Sequence, residues 1–492
     1  MPRSPSIFAV VTLTASLMAA NADDATAERG IKEGAAPGRS LQPAFAVVSE
    51  DPYTNPGTYH RTQVEPDSLA FGSTMVSVFQ TGRSYRCGAS NIGWSVSHDA
   101  GSTWTEGFLP STTIHSTPSG EWKRATDPVV AYDAKHNTWL AQGLGIPSCP
   151  FSGGDVFVSR STDDAETFRE PVIIQRQKRT QLFDRPWIAC DNTPTSPFYG
   201  HCYAEWDDEG HHLRLHMSTS TDGGLTWNPS TVRRDTRVIG GQPLVQPDGT
   251  VVMVTPQCCP TRIDSFVSTD GGSSYAGHGT SYSGPLALRD VRASRIKGGL
   301  RYLTEPPIIS ADLDAVGKIY VVWTDCRFRD FGPGQHCAHN DILMSTTTDG
   351  RHWSSIVRIP IDPRTSSVDH FLPAIAIDPT TSGASAHLAL VYYFYPEADC
   401  TRSTCELSVG FASSIDGGST WTAQQLAGPF RTKWLPLTST GYMVGDYFSV
   451  SFVDGQAIPV FIAATKGTCE LGDIVSCNVW TASATIPLGS GS

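Results

Sequence analysis

The residues best placed to do chemistry stand beside a recurring proline. Glu65-Pro66, Asp127-Pro128, Arg185-Pro186, Gln242-Pro243, Glu305-Pro306 and Leu372-Pro373 each lead into a short apolar run. Gly445-Asp446-Tyr447-Phe448 reads as a seventh copy without the proline. Neighbouring positions add Asp67, Asp184, Asp369 and His370. If these lead-ins converge, they gather mainly acidic side chains around one axis. A pair of carboxylates can flank a glycosidic bond, one as acid and the other as base or nucleophile. A separation of ~5 Å implies retention and ~6.5–9.5 Å inversion. Crowded carboxylates also raise one another's pKa, which keeps one protonated to serve as the acid. By position alone, Asp127 and Glu305 are the expected catalytic pair, with Glu65 and Asp446 beside them. The same oxygens could instead hold Ca²⁺; no other cofactor is indicated. The plainer alternative is that each carboxylate caps its strand or pairs with Arg124, Arg185 or Arg327.

Two further segments mix carboxylates, cations and aromatic faces: Glu205-Trp206-Asp207-Asp208, and Trp323 through Asp325, Arg327 and Arg329 to Asp330. Tyr395-Pro396-Glu397 and Tyr442 add hydroxyls. Sugars stack on aromatic faces and hydrogen-bond to charged groups, so such mixtures suit a glycan. Arginine can hold an acidic sugar in bidentate fashion. Asp184, Arg185, Asp325, Arg327 and His370 are the expected substrate-binding residues. Trp206 and Trp323 read equally well as core residues between sheets. His211-His212 with His216 lacks a Glu or Cys to complete a metal set, so no metal site is expected there.

The elements that must position these residues announce themselves in a second repeat. Ser97-His98-Asp99-Ala100-Gly101-Ser102-Thr103-Trp104 returns as Ser220 to Trp227 and as Ser414 to Trp421. Degraded copies run from Ser161 to Phe168, with Ala165 in place of glycine, from Ser268 to Tyr275, and from Thr347 to Trp353. The Asp accepts hydrogen bonds from loop amides, Gly takes the positive φ of the reversal, and the aromatic ring buries between sheets. Asp99, Asp222 and Asp416 are therefore structural. Each unit of about sixty residues reads as three strands, an Asp turn and a fourth strand, the pattern of blades packed radially about a channel. Proline suits the start of an innermost strand. Seven lead-ins against six turns predict an all-β, seven-bladed β-propeller of four-stranded antiparallel blades, with six blades as the runner-up. A strand near Phe45-Ala46-Val47-Val48 would close the last blade.

The turns resemble the Asp-box (BNR) repeats of the sialidase-like superfamily over roughly residues 43 to 485. Gly88 to Trp94 and Trp323-Thr324-Asp325-Cys326-Arg327 are similar to bacterial secreted proteins of the sialidase family. The resemblance implies a propeller. Within that superfamily it implies either an enzyme or a non-catalytic receptor, because one fold hosts many functions. Sialidases use an arginine triad, a Tyr–Glu pair and an Asp, with the first arginine in an Arg-Ile-Pro-like motif. That motif is missing here, and Arg61-Thr62-Gln63 occupies the region without the pattern. The catalytic set does not transfer residue by residue.

Composition fits this reading. Charged residues are 17 % of the 492-residue chain, against roughly 25 % in soluble proteins, and no long amphipathic helical pattern occurs. A formal charge of −12 argues against nucleic acid and anionic lipid as partners. Residues 1–22 read as a signal peptide: Arg3, an apolar run from Ile7 to Ala20, then Ala20-Asn21-Ala22. Its run is too short to span a bilayer. Residues 23–42 read as a linker and 43–492 as the propeller. Twelve cysteines in such a chain imply disulfides. Close pairs are Cys190/Cys202, Cys326/Cys337, Cys400/Cys405 and Cys469/Cys477, while Cys258-Cys259 either bridge each other or pair with Cys87 and Cys149. The expected function is a secreted, extracellular or periplasmic, sialidase-like glycoside hydrolase acting on a glycan, acidic glycans included. The alternative is a non-catalytic propeller that binds glycan or protein at the channel mouth.

Overall fold

The computed structural model describes residues 45–149, 153–233, 236–257, 261–275, 291–301, 307–329, 337–467, 469 and 476–488. The chain divides into residues 1–42 and 43–492. The signal peptide and linker assigned to the first unit lie outside the described residues, as do Glu305 and the Cys258-Cys259 pair. The second unit is all-β. Its described helical segments are three-residue 3-10 turns.

The strands come in antiparallel meanders. Arg124–Asp133, Thr138–Ile146, Asp155–Ser161 and Val172–Gln175 pair in that order, and Phe183–Cys190 opens a second set of the same form. The other first strands are His60–Phe71, Gln242–Val245, Ile309–Leu313, Asp369–Ile377 and Ser449–Val453. Each first strand adjoins the first strand of the next meander, and Ser449–Val453 adjoins His60–Phe71. The last meander is completed from the N-terminal side. Ala46–Val47 pairs antiparallel with Ser476–Ser483, with Ala46 opposite Ser483. All these first strands line one cavity of about 540 Å³. Their near-continuous apolar runs follow from burial on every side, as in Asp369–Ile377, where all nine residues are buried.

Two features of the repeat explain why the strands turn where they do. In the Asp turns, Asp99 accepts from the Thr103 amide at 2.8 Å, the Thr103 hydroxyl at 2.6 Å and the Ser97 hydroxyl at 2.8 Å. The same bonds recur at Asp222 and Asp416, and in degraded form at Asp163 and Asp270. With both oxygens committed to their own loop, these aspartates are fasteners. Ala165 stands where glycine is usual and holds φ at +65°, a conformation that costs roughly 1–2 kcal/mol with a Cβ. At the other hairpin of each unit, the Asp that ends the first strand caps the turn: Asp133 accepts from the Lys135 amide, Asp314 from Val316 and Lys318, and Asp378 from Thr380.

Bulky aromatics fill the space between sheets. Trp206 and Trp323 are fully buried, so they are core residues and not sugar platforms. Disulfides join Cys190–Cys202, Cys326–Cys337, Cys400–Cys405 and Cys469–Cys477 as their spacing suggested. Cys87 pairs with Cys149. That removes the alternative in which Cys258 and Cys259 took those two partners.

Candidate functional site

The proline lead-ins share an unusual backbone. Glu65, Asp127, Arg185 and Leu372, each directly before its proline, have φ of +59°, +52°, +45° and +51°. A residue before proline ordinarily prefers extended backbone, and positive φ is uncommon outside glycine. In each case the pairing with the second strand slips at that point: between Val64 and Asp67, Thr126 and Val129, Asp184 and Trp187, and Phe371 and Pro373. These are bulges, which re-aim a side chain out of the strand's alternation. The seventh copy uses glycine: Gly445 has φ +147°, and a Cβ there would stand 2.6 Å from Glu65 Cα. The tail of the chain thus seats directly on its first lead-in.

What the bulges gather is a charged cluster at one end of the cavity. Glu65 is 1 % exposed. Its Oε1 accepts from the Asp446 amide at 2.8 Å, and its Oε2 accepts from Gln80 Nε2. Gln80 in turn receives Arg83 Nη1 at 3.0 Å. Asp446 Oδ2 takes Arg185 Nη2 at 2.8 Å and Arg301 Nη2 at 2.7 Å. Tyr447 donates to the Pro128 carbonyl at 2.8 Å and packs edge-on against Trp187. Asp127 accepts from the Thr126 hydroxyl at 2.8 Å. Asp184 pairs in register with Asp207 on the next strand, and Glu205 lies two residues away on the same strand.

The electrostatics follow from burial and crowding. Burial, then the Asp127 and Asp446 carboxylates, push Glu65 up to about 8. Burial also drives Asp184, Glu205 and Asp207 well above the carboxylate range, with Asp127 and Asp207 adding to the effect on Asp184. For Asp446 burial pushes upward, but Arg301, Arg185 and Arg83 together hold it below its ordinary value. Burial and Arg301 lower Arg83 to about 10. Tyr447 is raised by burial and by the surrounding carboxylates, so it stays a phenol. The cluster therefore holds both ionised and protonated carboxyls side by side, the condition for acid–base division of labour.

Of the residues expected from sequence, Glu65, Asp127, Asp184, Arg185 and Asp446 meet in this cluster. The others do not. Asp67 spans to the next meander, accepting from the Val130 amide at 2.9 Å, and Gln242 does the same with Ala311. Asp325 is fully buried and faces its own loop, taking Arg327 Nη2 at 2.6 Å and the Arg292 amide at 3.2 Å. Asp369 receives the Asn340 amide and side chain. His370 is buried beside Arg329 and near Asp362. Asp341, Asp362 and His370 are close enough to share a metal. Arg329 and Arg358 already neutralise both aspartates, so the group is an ion-pair network. Gln80, Arg83, Arg301 and Tyr447 were missed from sequence. Only Tyr447, adjacent to Asp446, carried a usable signal.

No family model matches the sequence, and no curated protein matches it. Among solved structures, the chain is similar to the Hadza microbial sialidase Hz136, at 15 % identity and a TM-score of 0.43 over 87 % of this chain. It covers 66 % of that protein's length. A Penicillium chrysogenum α-L-arabinanase complexed with arabinobiose gives 11 % identity and 0.45 over 92 % of this chain and 100 % of the other. The phage phi92 endosialidase gives 11 % and 0.47, covering 92 % and 70 %. Similarities of this size assign neither family nor substrate, and the functional reading rests on the cluster.

Proposed function

We propose that this chain is a secreted, seven-bladed β-propeller with Asp-box turns, and a sialidase-like glycoside hydrolase whose active site is the charged mouth of the ring. Seven first strands around one cavity support the blade count. Five disulfides among the described residues and the apolar run before Ala22 support export to an oxidising compartment. Among the described residues, no helix is long and apolar enough to cross a membrane.

The observation that carries the enzymatic reading is Glu65. It is a buried carboxyl held up to about 8 beside Asp127 and Asp446, under three arginines. A proton kept on one carboxyl next to an ionised one is what glycoside cleavage requires. Asp127 and Glu305 are proposed as the pair that flanks the bond. Glu65 is the proton reservoir behind Asp127, and Asp446 orients Arg185 and Arg301. The test is a screen of the purified protein against released and synthetic glycosides, with Asp127→Asn and Glu305→Gln. Loss of turnover in both variants is expected, and unchanged turnover in both removes the assignment.

One observation favours the second reading, a non-catalytic propeller that binds glycan or protein at the same mouth. Asp446 is tied to two arginines, and both Glu65 oxygens are occupied. Binding without turnover across the whole panel would decide for it.

A further inference from the structure

Arg185 and Arg301 reach the same atom from different parts of the chain. Each places one Nη2 on Asp446 Oδ2, at 2.8 and 2.7 Å. Two guanidiniums converging on one carboxylate oxygen form an anion cradle, and here the anion is part of the protein. Asp446 is fixed in place: its amide donates to Glu65 Oε1 at 2.8 Å, and the preceding Gly445 is pressed against the Glu65 backbone. Its other oxygen, Oδ1, is buried without a hydrogen-bond partner, in a side chain only 6 % exposed. An unpaired buried carboxylate oxygen carries an uncompensated desolvation cost, so a ligand that supplies a donor removes a standing penalty.

A small pocket borders the same residue. A cavity of about 30 Å³ is bounded by Arg185, Asp446, Gln242 and Gly240, with Trp187 and Tyr447 as its aromatic side. A single water needs roughly 10–15 Å³ of such space. The pocket takes a hydroxyl or an ammonium group, whereas a second carboxylate would find both guanidiniums already on Asp446 Oδ2. The charges agree. Asp446 is held ionised by Arg301, Arg185 and Arg83, so a ligand carboxylate brought to the same guanidiniums meets a like charge.

We infer that Asp446 is a built-in counter-anion that fills the arginine cradle, so that the mouth accepts a hydrogen-bond donor, the hydroxyl or ammonium of a neutral or amino sugar, and rejects carboxylate-bearing sugars. This rests on the proposed function only in taking the ligand to be a sugar; the cradle and its occupant do not depend on catalysis. It narrows the substrate class and excludes the acidic glycans that the sequence allowed.

Removing the counter-anion should invert the preference. The full chain and its Asp446→Ala variant are titrated with acetate and with galacturonate against matched chloride, by calorimetry and by thermal shift. The wild type should bind neither anion, whereas Asp446→Ala should bind both, at least about tenfold more tightly than the wild type, or about 1.4 kcal/mol, and should be stabilised by them. Asp446→Asn, which keeps the shape and drops the charge, replaces the alanine variant if that fails to fold and should shift in the same direction. A wild type that takes either anion as well as the variant does overturns the inference, and so does a variant that takes neither. Absence of hydrolysis on every glycoside with the acetate effect intact sinks the catalytic reading alone. Hydrolysis of uronides by the wild type sinks this inference alone.

Discussion

Replacing Glu65 with glutamine separates the electrostatic strain of the mouth from its packing. In the folded protein the Glu65 carboxyl titrates at about 8, against an ordinary 4.5, because it is buried beside Asp127 and Asp446. Between those two values the folded state holds a proton that the unfolded chain has released. Wild-type stability must therefore fall as pH rises from 4.5 to about 8, and level off above. At roughly 1.4 kcal/mol per pH unit the full loss is about 5 kcal/mol, of which about 3 has gone by pH 7. Glutamine cannot ionise, so this part of the pH dependence disappears. The variant also sets an amide nitrogen against Gln80 Nε2, where Glu65 offered an acceptor; that costs about 1 kcal/mol at every pH. Urea unfolding of both proteins at pH 4.5, 6, 7 and 8, followed by tryptophan fluorescence, reads the difference. Glu65→Gln should be the weaker protein at pH 4.5 and the stronger at pH 8. A wild-type-minus-variant difference that stays constant across this range would refute the claim that Glu65 is held protonated.

Other consequences can be checked with the same measurements. Asp99→Ala removes three hydrogen bonds from an exposed turn and should cost about 1–2 kcal/mol in unfolding free energy with catalysis intact. Cys87→Ala with Cys149→Ala opens a 62-residue loop and should lower stability by about 4 kcal/mol by the loop-entropy relation, seen as a lower urea midpoint. Arg329→Ala removes one of the two arginines that neutralise Asp341 and Asp362, from a side chain only 1 % exposed; a loss of about 3 kcal/mol is expected, read by thermal unfolding. An unchanged midpoint would show that Arg358 alone neutralises the pair.

The sequence disclosed the fold better than the site, and particular residues show why. Asp99, Asp222 and Asp416 bind only atoms within their own turns, so a seven-residue window contains the whole interaction. The Cys326–Cys337 and Cys400–Cys405 loops are equally local. The cluster depends on closure of the ring. Asp446 meets Arg185 and Arg301 across separations of 261 and 145 residues, and Glu65 meets the Asp446 amide across 381. No local pattern marks Arg83 or Arg301 for that role. Direction was lost as well. Strand alternation cannot foresee that Glu65, Asp127 and Arg185 swing out through bulges at positive φ, while Asp325 turns into its loop under Arg327 and Arg292. His370 looked equivalent to the mouth residues because it too precedes a proline strand, yet it packs among Arg329, Tyr392 and Phe394.

The most direct test of the central claim compares the two ends of the ring in one assay. Asp127→Asn alters the charged mouth and Asp99→Asn alters an Asp turn, each by a single oxygen-to-nitrogen exchange. Against whichever glycoside the wild type cleaves, release of reducing ends should be abolished by Asp127→Asn and retained by Asp99→Asn at a temperature where both are folded. Retained cleavage in Asp127→Asn, with loss in Asp99→Asn, would place the chemistry at the opposite end and contradict the account.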